Sequence, residues 1–230
     1  MLISLAMIGL GCGSELKAAI NTQNIEPCNL RICCSTPSES TDYSKLRTDC
    51  NINSFIILGD KKSKAIEQTY AKIACDENSF YITALCEQKD IEKNIMIYPP
   101  ESKHDSPIFR DDCLEIFIDT FHNHRIYYHF VVNSAGVLYE AKHIKNIVDK
   151  SWNGRWSVKI TKSKDAWIAA ITIPLSTFVV RPNYMDIWGF NICRHNAAFH
   201  EYSTWSFVGN SFHDPTNFGH LVFDDTAFKG

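Results

Sequence analysis

Asp111, Asp112, Glu115 and Asp119 place four carboxylates in the short segment RDDCLEIFIDT. If the segment is a strand, Cys113, Glu115, Phe117 and Asp119 share one face, and Leu114, Ile116 and Ile118 point the other way, into a core. Residues two apart on a strand stand about 7 Å apart. Carboxyl groups roughly 5 to 10 Å apart can act as acid and base across a glycosidic bond. The same oxygens suit a hard cation such as calcium, with Asp111, Asp112 and Asp119 as candidate ligands. The spacing of a calcium loop, DxDxDG, is absent. A third use is recognition, in which Glu115 accepts hydrogen bonds from the hydroxyls of a ligand. His122 and His124 flank Asn123 in a turn, where two imidazoles either hold a metal weakly or face water. No GxSxG nucleophile elbow and no phosphate-cradling glycine motif occurs.

Two aromatic residues bracket these polar groups. Phe109 precedes the acidic run, and Phe212 precedes His213, Asp214 and Pro215. Both belong to loops rather than strands. A large ring beside hydrogen-bonding groups suits stacking on the apolar face of a sugar. The competing role is a plug at the end of a sandwich.

The elements that must hold these groups read as strands. QTYAKIACD and FYITALCEQ alternate around Glu77, Asn78 and Ser79, which is a hairpin pattern. CLEIFID, IYYHFVVN, VLYEA, WSVKIT, WIAAITIP, IWGFNICR and HLVFDD follow, separated by turns such as Ser134-Ala135-Gly136. Pro174 ends one run, and LSTF after it forms a short helical turn. KKSKAIEQTYAKIAC also admits a helical reading, but no long 3.6-residue period appears anywhere. The expected class is all-β: a two-sheet antiparallel β-sandwich, jelly-roll-like.

The 230 residues hold enough apolar material, 45%, for one large core. Fourteen Phe, nine Tyr and five Trp favour extended segments. The net charge of -3 is spread without a basic stripe, so a nucleic-acid partner is not expected. No apolar run reaches the roughly 20 residues of a membrane-spanning helix. Residues 1–13 open on MLISLAMIGL and read as a signal or lipoprotein signal, with Cys12 as the lipid-bearing candidate. Residues 14–49 read as a cysteine-containing extension, and 50–230 as the sandwich domain. Nine cysteines are many for a cytosolic enzyme. Cys28, Cys33, Cys34 and Cys50 lie in a polar, turn-rich stretch, which leads us to expect a disulfide in an exported protein, whether secreted, periplasmic or on the outer surface.

Five phrases, in order, resemble carbohydrate-binding module family 9 and its family-9-like relatives. They are DDCLEIFIDT, YYHFVVNSAGVLYEA, WIAAITIPLSTF, IWGFNICRH and STWSFVGNSFHDPTNFGHLVF. CDENSFYITALCEQKDI fits the strand that opens the family's pattern. The resemblance runs from about Gln68 to Phe223. It implies a sandwich of two antiparallel sheets that binds a mono- or oligosaccharide without cleaving it. It also implies association with polysaccharide-degrading enzymes, and structural calcium in some members.

In the family two tryptophans clamp the terminal sugar. Here those positions fall at Phe109 and Phe212, and the family's sugar-binding glutamate falls at Glu115. An arginine position falls at Val131, a glutamine position at Cys193 and an asparagine position at Gly209. His129, Asn191 and Asn210 complete the expected ligand-binding set as nearby polar groups. Two other readings compete: a structural or interaction sandwich that has lost the sugar, and a glycoside hydrolase component. Met96, Met185, His129 and His143 lack the setting of a haem site, so no haem is expected. A monomer is expected.

Overall fold

The structure, a computed structural model, describes residues 28–32, 43–89, 103–225 and 228. The leader read at 1–13, and Cys12, Cys33, Cys34 and Met96, lie outside the described residues. The fold is a sandwich of a nine-stranded and a four-stranded sheet, as expected. The four-stranded sheet joins β3 (Thr69–Cys75), β4 (Ser79–Glu87), β9 (Ser157–Lys162) and β10 (Ala166–Pro174) in the order β3-β4-β10-β9. The larger sheet is built on β5 (Cys113–Asp119), β6 (Ile126–Asn133), β7 (Leu138–Ile144) and β11 (Ile187–Asn196). Its remaining members are β1 (Asn29–Arg31), β2 (Ile56–Ile57), β8 (Ile147–Asp149), β12 (Glu201–Thr204) and β13 (Gly219–Val222). The path β1-β13-β11-β5-β6-β7-β8 is antiparallel except that β1 runs parallel to β13.

Alternation decides which side chains enter the core. Leu114, Ile116 and Ile118 of β5, Tyr128, Phe130 and Val132 of β6, and Trp188, Phe190 and Ile192 of β11 pack inward. They meet Phe80, Ile82, Ala84, Trp167, Ala169, Ile171 and Ile173 from the smaller sheet. One buried polar knot crosses the layers. Arg194 and Asp112 are both fully buried and paired at 3.2 Å. The Trp167 indole N–H donates to Asp112 at 2.9 Å, and Arg194 donates to the Gln88 side chain at 2.9 Å. Such a pair costs least when its remaining hydrogen-bonding groups find partners, and here Arg194 Nη1 stays buried without one.

Turn chemistry sets the registers. The Asp76 carboxylate accepts the backbone N–H of Asn78 and of Ser79, both at 2.8 Å, and the Tyr81 hydroxyl at 2.9 Å. This closes the β3–β4 hairpin. Gly136 takes φ +85° in the β6–β7 turn, a conformation that disfavours any side chain. After β10, Leu175–Thr177 form the expected short turn, of 3-10 type.

The short strands β1, β2, β8 and β12 are not among the runs read from sequence. β1 lies inside the 14–49 stretch, and its Leu30, followed by Ile32, joins the core. Close approach explains why Gly219 begins β13: a Cβ there would stand 2.6 Å from the Trp205 ring and 2.9 Å from the Cys28 carbonyl. The expected disulfide is corrected. Cys28 and Cys50 are free thiols, as are Cys86, Cys113 and Cys193. Cys28 leads into β1 and its Sγ faces the Trp205 carbonyl. Cys50 follows the helical turn α1 (Leu46–Asp49), which packs against β3 and β4 of the other sheet, so the two thiols belong to different layers.

Candidate functional site

The outer face of the larger sheet carries the chemistry. Register places Thr204, Cys193, Glu115, Val131 and Tyr139 in one row across β12, β11, β5, β6 and β7. The positions that the resemblance assigns to a glutamine, a glutamate and an arginine, Cys193, Glu115 and Val131, therefore stand side by side, and of the three only Glu115 carries a carboxyl. Cys193 donates to Thr204 Oγ1 at 3.4 Å, and Val131 packs with Ile108, Cys113 and Tyr139. One register step along lie Asn191, Phe117, His129 and Ala141.

The chain between β12 and β13 folds back over this face. Asn191 anchors its start. Its amide donates to Thr204 Oγ1 and to the Ser206 carbonyl, and its oxygen accepts from Ser206 N–H. Asn191 is fully buried with these bonds made, so it positions the loop rather than facing a ligand. Asp214 gathers the loop itself by accepting from Gly209 N–H, Thr216 and Asn217. Burial pulls the Asp214 carboxyl upward, but those bonds outweigh it and hold it below the usual carboxylate range. Val208, Phe212 and Phe218 then pack on Phe117, Tyr127 and Cys193.

Between this loop and Phe109 opens a cleft of about 410 Å³ lined by Leu58, Phe109, Glu115, Tyr202, Asn210, Ser211, Phe212 and His213. It brings together four residues read from sequence: Phe109, Glu115, Asn210 and Phe212. The two phenylalanines are held differently. Phe109 is half-buried, its ring edge-on to Tyr139 at 4.9 Å. Phe212 is only 6% exposed and offers the cleft little of its ring. Tyr202 supplies a more open ring, 41% exposed, stacked on His195 at 4.4 Å. It was missed because it lies in β12, a strand too short to stand out by alternation.

Glu115 is bonded to His129 Nε2 at 2.7 Å, with both side chains buried. Burial pushes the Glu115 carboxyl up to about 7, against weaker lowering by His213 and His195. Burial also drives His129 down to about 3. Both shifts favour the neutral forms, so this short contact is a hydrogen bond between an imidazole and a carboxyl rather than a strong ion pair. The other Glu115 oxygen can accept hydrogen bonds from hydroxyl groups.

His129 belongs to a larger cluster. Its ring stacks on Phe117 at 4.4 Å, and His143 stacks on Tyr127 at 4.6 Å. Tyr127 hydroxyl and His213 Nδ1 are 3.0 Å apart. Burial lowers His143 to about 3 and His213 to about 4, helped in each case by neighbouring imidazoles.

The carboxylates read as calcium ligands have other work. Asp111 accepts from Asn133 at 2.7 Å, Asp112 holds Arg194, and Asp119 accepts from the N–H groups of Phe121 and His124. His122 and His124 sit in a turn, both at positive φ, and His124 is tied to the Pro215 carbonyl. Among the described residues, the groups whose donor atoms approach closely enough for a metal are His129, His143 and His213, and His104, Asp105 and Glu140.

Residues 43–226 match the family described as carbohydrate family 9 binding domain-like. No curated protein matches the chain. A protein from Bacteroides uniformis described as carbohydrate-binding superposes with a TM-score of 0.65 at 17% identity, covering 86% of this chain and 99% of its own. A carbohydrate-binding module of family 9 from Caldicellulosiruptor kristjanssonii, in complex with glucose, gives 0.58 at 16% identity over 86% of this chain and 96% of its own. A family 9 module from the same organism in complex with cellotriose gives 0.59 at 16% identity over 86% of this chain and 94% of its own. At these identities the likeness is one of fold.

Proposed function

The chain belongs to the carbohydrate family 9 binding domain-like family, and on that premise we propose that it binds a mono- or oligosaccharide, without cleaving it, in the cleft beside Phe109. The observation that carries this reading is the convergence there of Phe109, Tyr202, Glu115 and Asn210. The two rings give flat apolar faces for a pyranose, and Glu115 and Asn210 offer hydrogen bonds to its hydroxyls. Phe212 forms the wall behind them. Among the described residues lining the cleft Glu115 is the single carboxylate, whereas acid–base cleavage of a glycosidic bond ordinarily takes two.

Glucose and cellotriose, held by the Caldicellulosiruptor modules, are the first ligands to try. Val131 and Cys193, buried and apolar beside Glu115, leave fewer hydrogen bonds for the sugar, which argues for weaker or differently selective binding. The apolar start of the chain remains the ground for proposing export, where such a module would act as a monomer alongside polysaccharide-degrading enzymes. A glycan array reports the sugar, and prolonged incubation with the best binder reports cleavage. Binding with no released product supports the reading. Turnover that is lost in Glu115→Gln would replace it with hydrolysis.

A further inference from the structure

We propose that His129, His143 and His213 form a binding site for one divalent first-row transition ion, with zinc the ion that the site fits best. One ring nitrogen from each residue lies within 4.8 Å of the other two. The three come from separate elements, β6, β7 and the loop before β13, so the chain must fold to assemble the group. Like the rings of a built site, these are already held in place. His129 is stacked on Phe117 and bonded to Glu115. His143 is stacked on Tyr127, and His213 is bonded to the Tyr127 hydroxyl. Carboxylate and hydroxyl partners of this kind orient metal-bound imidazoles.

A second observation points to a missing ligand. His143 is only 6% exposed, and its Nε2 is buried without any hydrogen-bond partner. A buried ring nitrogen left unpaired is costly and uncommon. A metal ion among the three rings would give it one.

The donor set selects the ion. Three imidazole nitrogens suit zinc and its first-row neighbours, whereas calcium and magnesium take oxygen ligands. Three protein ligands also leave a fourth position free, as in zinc sites that keep an exchangeable ligand. Because His213 lines the cleft, the ion would pin the 209–217 loop to β6 and β7 at the cleft's edge. The other group, His104, Asp105 and Glu140, is a weaker candidate. Two of its members, His104 and Asp105, are exposed, against His213 alone in the histidine cluster, and Glu140 already accepts from Trp156 and bonds His104.

This inference does not depend on sugar binding. The test is calorimetric titration of the metal-stripped full-length protein with Zn²⁺, together with visible absorption on adding Co²⁺. The expected result is one zinc per chain and cobalt bands of a low-coordinate, nitrogen-ligated ion. His143→Ala and His213→Ala should each weaken zinc binding by more than about 100-fold, since changing even an orienting partner costs 10- to 100-fold. His104→Ala should leave it unchanged. Should His143→Ala fail to fold, His213→Ala, on the loop, carries the comparison. A wild-type protein that takes up no zinc overturns the proposal, as does a His213→Ala variant that binds zinc like the wild type. Sugar titrated into the same samples separates the two readings: a chain that binds sugar but no zinc sinks this proposal alone.

Discussion

Phe109 and Phe212 line the same cleft, but packing treats them differently. Phe212 is buried with Val208, Phe117 and Phe218, so its ring holds the loop down. Phe212→Ala should therefore destabilise the fold by about 3 to 5 kcal/mol. Thermal unfolding followed by circular dichroism checks this, and a melting temperature equal to wild type would show that the ring is not a structural anchor. Asp112 makes the complementary case in the core. Removing its carboxylate strands the fully buried Arg194 guanidinium and leaves Trp167 Nε1–H without its acceptor. Asp112→Ala should cost about 3 to 5 kcal/mol in denaturant titrations, because an uncompensated charge remains in the interior. A loss under 1 kcal/mol would mean that water or another carboxylate reaches Arg194.

The β3–β4 hairpin depends on one turn carboxylate. Burial nudges Asp76 upward, yet bonds from Asn78, Ser79 and Tyr81 outweigh it and hold its pKa below the ordinary value. A depressed folded pKa stabilises the native state above the unfolded value of about 3.9, and that contribution disappears as pH falls through the folded pKa. Asp76→Asn should thus be less stable than wild type by about 1 kcal/mol at pH 7. The gap should close in strongly acid solution, and a gap constant from pH 7 to pH 2 would contradict this account of the turn. This hairpin was legible in the sequence because its two strands alternate cleanly around a turn of polar residues. The face assignment on β5 was legible for the same reason: Leu114, Ile116 and Ile118 are unbroken by any irregularity. β1, β2, β8 and β12 were not legible. Each is only two to four residues long; β13, also of four, was read because HLVFDD carries its apolar run on to Phe223, and the other short strands exist because neighbouring strands offer free edges. The cleft was half legible. Phe109, Glu115 and Phe212 follow from motif positions and Asn210 from its place beside Phe212, whereas Tyr202 enters it through the short strand β12 and His213 through the folding of the loop between β12 and β13. Asn191, expected as a nearby polar ligand group, is spent on fixing that loop.

At the scale of the molecule, the sandwich is closed by contacts between distant parts of the chain. β1 pairs with β13 through Asn29↔His220, Leu30↔Leu221 and Arg31↔Val222, and Leu30 and Ile32 enter the same core as β13. Deleting residues 1–32 should lower the melting temperature and expose the β13 edge to self-association. Scanning calorimetry with light scattering checks both, and an unchanged melting temperature would show that β1 is dispensable. The larger sheet presents its outer face and the loop beyond β12 as one surface, and everything assigned to function lies there. The central claim is that this surface binds sugar through the rings at the cleft mouth. Calorimetric titration of cellotriose into wild type and into Phe109→Ala, whose fold is first verified by circular dichroism, tests it most directly. The account predicts saturable binding to wild type and a loss of about 1 to 3 kcal/mol of binding free energy in the variant. Equal affinity of the two proteins for cellotriose would contradict it.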